Sequence, residues 1–189
     1  MLQVFDFLLK YPSVLLAVIG ISPFVFATLL ADKCKSRLLT LSDLSCKDRD
    51  SKFWTNLSMI STAVIIVYMV YEANEKLLGG IGLSFYLVCI SSFLFAAIPI
   101  FLDFGKYKEH YVVIGFYLIF NLAYQLVLGY SLYQIEQSDI RLLLLVNSVV
   151  NMITFIILYY FTNGKWFFEL VHELFIIAFF VNLNLLYVK

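Results

Sequence analysis

The sequence predicts an all-α integral membrane protein: about six transmembrane helices in a compact bundle with one short charged cytoplasmic loop. Three observations predict it. The 189 residues are 62% hydrophobic and 14% charged, whereas a soluble globular chain runs at about 45–50% apolar and about 25% charged. The apolar residues suffice for nearly six crossings at about 20 residues each. They fall in long blocks bounded by charge or Gly, without the alternation that a membrane-barrel strand requires.

The elements follow in order along a single polytopic domain, residues 1–189. Span one covers about 13–31, with Pro12 at its start, where a missing N–H costs little. Pro23, shortly after Gly20, is expected to kink it. Leu29-Leu30-Ala31 is a poor cleavage signal, so span one is expected to be retained. Residues 2–9 either lie on the membrane or extend this helix. Span two covers about 54–71. Asn74 with Gly79, Gly80 and Gly82 marks a short turn into span three, about 79–102, which has Pro99 near its end. Spans four, five and six cover about 111–130, 141–161 and 166–187.

Residues 32–53 form the one polar segment of any size. Lys33, Lys35, Arg37, Lys47, Arg49 and Lys52 are interspersed there with Asp32, Asp43, Asp48 and Asp50, the pattern of a solvated face. The acids lack the spacing of an EF-hand loop. Leu38, Leu39, Leu41 and Leu44 fit a short helix lying on the membrane surface.

Orientation follows from the distribution of Lys and Arg. Loops one, three and five carry nine of the 13 cations; the termini with loops two and four carry Lys10, Lys76, Arg141 and Lys189. Loops 32–53, 103–110 and 163–165 are therefore expected in the cytoplasm and both termini on the opposite side. Trp54 and Trp166 begin spans on the expected cytoplasmic side, where an indole favours the interface.

The charge balance excludes one class of partner. Lys plus Arg number 13, Asp plus Glu 13, and the net charge is zero, so no electrostatic footprint for nucleic acid exists. Cys34, Cys46 and Cys89 are an odd set without a Cys-x-x-Cys pair, which offers neither a disulfide framework nor a thiol redox motif. Gly-rich phosphate loops, His-Glu-x-x-His and the serine-nucleophile motifs are all absent.

Span six carries the ionisable residues that attract notice. Glu169, His172 and Glu173 stand at i, i+3 and i+4 and share one helical face, at a depth of about 4–11 Å beyond Trp166. Ionisable groups at such depth usually face the bundle interior and mark a function. Two carboxyls and an imidazole can share a proton or act as general acid and base. Asp103 and His110 flank loop three on the same expected side and complete the set of candidate catalytic residues. No cofactor is predicted. A metal at the cytoplasmic end of the last helix is the alternative, with Glu169, His172 and Glu173 as its ligands. That signal is weak, because di-metal bundles use two copies of Glu-x-x-His and this chain has one. The structural alternative pairs Glu169 and Glu173 with Lys165, Lys106 or Lys108 at the headgroups and leaves His172 a structural hydrogen bond.

Buried amides are the second feature. Asn121 and Gln125 in span four, and Asn147, Asn151 and Thr154 in span five, recur at i+4 or i+3 and form polar stripes. An unpaired amide in lipid is costly, so these faces must meet other helices. The two stripes either bind spans four and five together or face a second protein or a polar cavity. Asn182 and Asn184 lie about 200° apart around a helix and cannot share a face, so at least one is expected at the outer interface or a subunit contact.

Three function classes remain. The first is a small multi-pass membrane protein acting through intramembrane helix contacts, as a subunit, a regulator or an immunity-type protein that blocks a membrane-active toxin. Its partners are the bilayer and another membrane protein or a second copy. The second is a membrane-embedded enzyme on a lipid or amphipathic substrate using Glu169, His172 and Glu173. The third is an oligomeric channel or transporter walled by the amide stripes.

Overall fold

The computed structural model describes residues 11–22, 49–103, 107–161 and 165–187, and every regular element among them is helical. The helices are α1 (Pro12–Ser22), α2 (Arg49–Ala73), α3 (Leu83–Asp103), α4 (Tyr107–Ile135), α5 (Asp139–Phe161) and α6 (Lys165–Tyr187). Three stretches are long and apolar enough to cross a membrane: Asn56–Leu78, Tyr111–Ile135 and Asp139–Ile157. The apolar stretches described in the other helices are shorter: Pro12–Ser22, Leu83–Ile98 and Leu170–Leu186. Residues 2–9, the expected kink at Pro23, the surface helix around Leu38–Leu44, Cys34 and Cys46 lie outside the described residues.

Several boundaries differ from the sequence reading: α4 covers Tyr107–Ile135 where the sequence predicts about 111–130, and two others differ for local reasons. α2 begins at Arg49, inside the segment read as the charged loop, because a helix that leaves an apolar layer can continue in water. α3 begins at Leu83 instead of residue 79 because the glycines before it end the preceding helix. α2 widens into a π-helical turn over Asn74–Leu78 and stops at Gly79, whose φ of 74° is left-handed. Glycine adopts that conformation without a Cβ penalty. Gly80 follows with φ 155° and donates its N–H to the Asn74 carbonyl at 3.1 Å.

The buried Asn74 side chain joins α2 to α3. Its Nδ2 donates to Val70 O at 2.8 Å, while its Oδ1 accepts from the Gly82 N–H at 3.0 Å and the Ser84 hydroxyl at 3.1 Å. The amide thereby satisfies a donor that the first turn of α3 would otherwise leave open. The α4–α5 turn has a comparable clasp. Arg141, counted from sequence as a loop cation, is buried; its Nη1 donates to Leu132 O at 3.0 Å and its Nη2 pairs with Glu136 Oε2 at 2.8 Å. It fastens the start of α5 to the end of α4.

Sequence neighbours pack side by side from α2 through α6, and α6 closes back on α2. α1 lies against α2 and α6. Asn184 Oδ1 accepts from both the N–H (3.2 Å) and the hydroxyl (2.8 Å) of Ser13, and the Ser58 hydroxyl donates to Ile19 O at 2.8 Å. The main core draws on every helix, with Leu16, Met69, Val88, Tyr124, Leu144 and Phe179 fully enclosed. A smaller cluster around Ile98, Tyr117 and Leu118 continues it.

α4 and α5 approach closely at Gly129. A Cβ there would stand 3.2 Å from Leu145 Cα and 3.3 Å from Leu145 N, whereas a Cβ at Gly115 meets nothing within 4 Å. Gly129→Leu is therefore expected to lower stability by about 1–3 kcal/mol through overpacking. Gly115→Ala should be neutral or raise it by up to about 1 kcal/mol through helix propensity. Thermal unfolding of both variants in the same detergent checks the contrast.

Candidate functional site

The polar residues of α4, α5 and α6 converge on one buried site. Asn121 and Gln125 stand one turn apart on the inward face of α4, Asn151 faces them from α5, and His172 enters from α6. All four are buried. Asn121 Nδ2 lies 3.0 Å from His172 Nε2, and His172 Nδ1 lies 3.1 Å from Asn151 Oδ1. Asn151 Nδ2 then donates to Gln125 Oε1 at 3.4 Å.

One assignment of protons satisfies the chain. The Asn121 amide donates to Nε2, so Nε2 is unprotonated; Asn151 offers an oxygen to Nδ1, so Nδ1 carries the hydrogen. His172 is then the neutral Nδ1–H tautomer with both ring nitrogens committed. The rings of Tyr117 and Phe155 stand edge-on to it at centroid distances of 6.2 and 6.1 Å. They screen the imidazole with apolar surface. At the far end of the chain Gln125 Nε2 is buried without a hydrogen-bond partner.

Asn147 makes a separate link, donating to Phe175 O of α6 at 3.0 Å. Thr154 is half-buried on the same helix. Thus both amide stripes read from the sequence meet inside the bundle, and α6 lies between them as the common partner. Asn184 holds the start of α1, as above, while Asn182 donates back to Ala178 O of its own helix at 3.0 Å. Neither amide is fully exposed.

The acidic members of the α6 cluster go elsewhere. Glu173 is buried, and its Oε1 faces α1 at Gly20, where a Cβ would come within 2.5 Å of that oxygen. Adjacent residues point about 100° apart on a helix, so His172 enters the α4–α5 seam while Glu173 enters the seam with α1. The side chains of Glu169, Asp103 and His110 lie outside the described residues. Among the described residues no group of three His, Cys, Asp or Glu side chains gathers as a metal would require.

The arrangement suits neutral hydrogen bonding between helices. A His172 with both nitrogens occupied has no free lone pair for a metal or a substrate proton until one amide moves away. The sequence signalled each polar position but not their union. A usable signal did exist: three spans with one polar stripe each, in a setting where every stripe needs a partner, imply a shared meeting point.

The chain matches no protein-family model, and no curated protein or solved structure is similar to it. The class that fold and site define is an all-helical bundle with a polar interior and three helices long and apolar enough to cross a membrane.

Because His172 links two helices to its own, its removal should be felt through Asn121 and Asn151 together. His172→Leu is expected to cost about 1–2 kcal/mol, given an average near 0.6 kcal/mol per interhelical hydrogen bond and two orphaned amides. A double-mutant cycle of His172→Leu with Asn151→Leu should return a coupling of about 0.5–1.5 kcal/mol, read from unfolding in detergent.

Proposed function

We infer that the chain is a multi-pass integral membrane protein of six spans that acts through helix contacts within the bilayer, as a subunit, a regulator or an immunity-type binding protein. The observation that carries this reading is the inverted polarity of the bundle. Asn121, Gln125, Asn151 and His172 are 0–6% exposed, whereas Val18, Val64, Phe93 and Ile119 are 63–74% exposed. Water would penalise so large an apolar exterior, while lipid or another helix accepts it.

Three further features support action by contact. The described connections between α2 and α3 and between α4 and α5 are short turns, leaving little polar mass there for a soluble site. The amides of α4 and α5 are engaged inside the bundle, which leaves the outer helix surfaces for association. Of the three long stretches, α5 is the least enclosed, and it presents Val146, Val149, Val150, Ile153 and Ile157 outward. β-branched side chains are stiff at χ1, so a ridge of them loses little rotamer freedom when a second helix packs on it. Between helices in lipid, van der Waals packing of this kind supplies much of the attraction.

Affinity purification of tagged full-length protein in mild detergent, at native expression level, tests the reading. A stoichiometric membrane-protein partner or a second copy of the chain is expected. Val149→Trp with Ile153→Trp should reduce the co-purified partner by about tenfold or more while leaving thermal stability unchanged. Recovery of a lone monomer, or full partner retention by the double variant, counts against this function.

A further inference from the structure

Glu173 is the one carboxyl among the described side chains that is more than nine-tenths buried. Among the described residues its Oε1 has no hydrogen-bond partner. The oxygen abuts α1 at Gly20, where the close approach leaves room only for a hydrogen in place of a side chain. Burial, an unsatisfied oxygen and a glycine opposite it make a carboxyl pocket at the α1–α6 seam.

No described cation pairs with this carboxyl. On its own helix His172 is neutral, both ring nitrogens being held by Asn121 and Asn151. The titratable groups that α4 buries are the phenols of Tyr117 and Tyr124, which carry no positive charge. α1 carries no charged side chain between Pro12 and Ser22. Lys76, just past the end of α2, pairs with Glu72, and Arg141 of α5 is fastened to Leu132 and Glu136. A buried carboxylate without a counter-charge is among the costliest groups a protein can hold, whereas the neutral acid is tolerated.

We propose that Glu173 is a proton-binding site gated by α1: the carboxyl holds its proton while α1 is seated over it through Gly20 and releases it when α1 lifts and water reaches Oε1. α1 is seated by Leu16 in the core and by a small set of polar contacts. The described hydrogen bonds that fasten α1 to the bundle are the two from Ser13 to Asn184 and the one from Ser58 to Ile19. The site is independent of any partner on α5, so its test stands apart from the one above.

Dicyclohexylcarbodiimide, a hydrophobic reagent, reads the protonated acid directly. The carboxyl adds across one C=N bond: its oxygen bonds to the central carbon and its proton passes to nitrogen. Acyl transfer to nitrogen then gives a stable N-acylurea, with no oxidation or reduction. The full-length protein in mild detergent is treated across a pH series, and the modified carboxyls are mapped by peptide mass spectrometry. Glu173 is expected to label with this reagent and to resist a water-soluble carbodiimide, while the exposed Glu75 and Glu136 show the opposite preference. Its labelling should fall about tenfold per pH unit once the site titrates. Ser13→Ala with Ser58→Ala, which loosens α1, should open Glu173 to the water-soluble reagent. A Glu173 that stays unlabelled, or labels equally at every pH, overturns the proton site; unchanged soluble-reagent access in the serine variant overturns the gate.

Discussion

A polar group enclosed away from water must find a partner, and the bundle is organised around that requirement. His172 expresses it most fully. An imidazole has one donor and one acceptor when neutral, and here each is met by an amide from a different helix. If α6 rotated by one residue, about 100°, His172 would leave the seam and both amides would lose their partner. The network therefore sets the rotational register of α4, α5 and α6. Its energy is modest, at roughly 0.6 kcal/mol per bond; the enclosed Tyr124, Ile176, Phe179 and Phe180 carry the packing. The polar residues decide which packing is adopted.

The same rule operates at the helix ends, where backbone groups lack intrahelical partners. Asn74 serves α2 and α3 at once, Arg141 closes α4 onto α5, and Asn184 receives the first turn of α1. In each case a side chain of one helix satisfies the backbone of another element. The chain is thus tied at its turns and across its middle by single polar side chains, with apolar contact between those points. That division suits a protein whose outer face meets hydrocarbon, because the amides of the helix interiors are engaged inside the bundle.

Glu173 and His172 are sequence neighbours with opposite circumstances. The imidazole has an amide partner at each ring nitrogen. The carboxyl has an oxygen without a hydrogen-bond partner among the described residues and lies against α1 at Gly20, where a change of protonation and a movement of α1 would be linked. The amide network sets the register on one side of α6, and the seam with α1 lies on the other. The exposed apolar ridge of α5 belongs to the helix that the amide network fixes in register.

The sequence by itself determined the helical class, the order of the apolar blocks, three of which are long enough to cross a membrane, and the polar positions that the bundle buries or engages: Asn121, Gln125, Asn147, Asn151, His172 and Glu173. It could do so because apolar block length and the i, i+3, i+4 period are local properties of the chain. Boundaries were less legible: α2 starts at Arg49 where the sequence predicts about 54, α4 covers Tyr107–Ile135 where it predicts about 111–130, and Gly79 and Gly80 displace the start of α3 through backbone conformation. Only the tertiary structure decided that the two amide stripes close on His172, that Asn184 receives Ser13, and that Glu173 parts from His172 to face Gly20. Those pairings join residues far apart in sequence, and periodicity states which face a residue occupies but not which helix stands opposite.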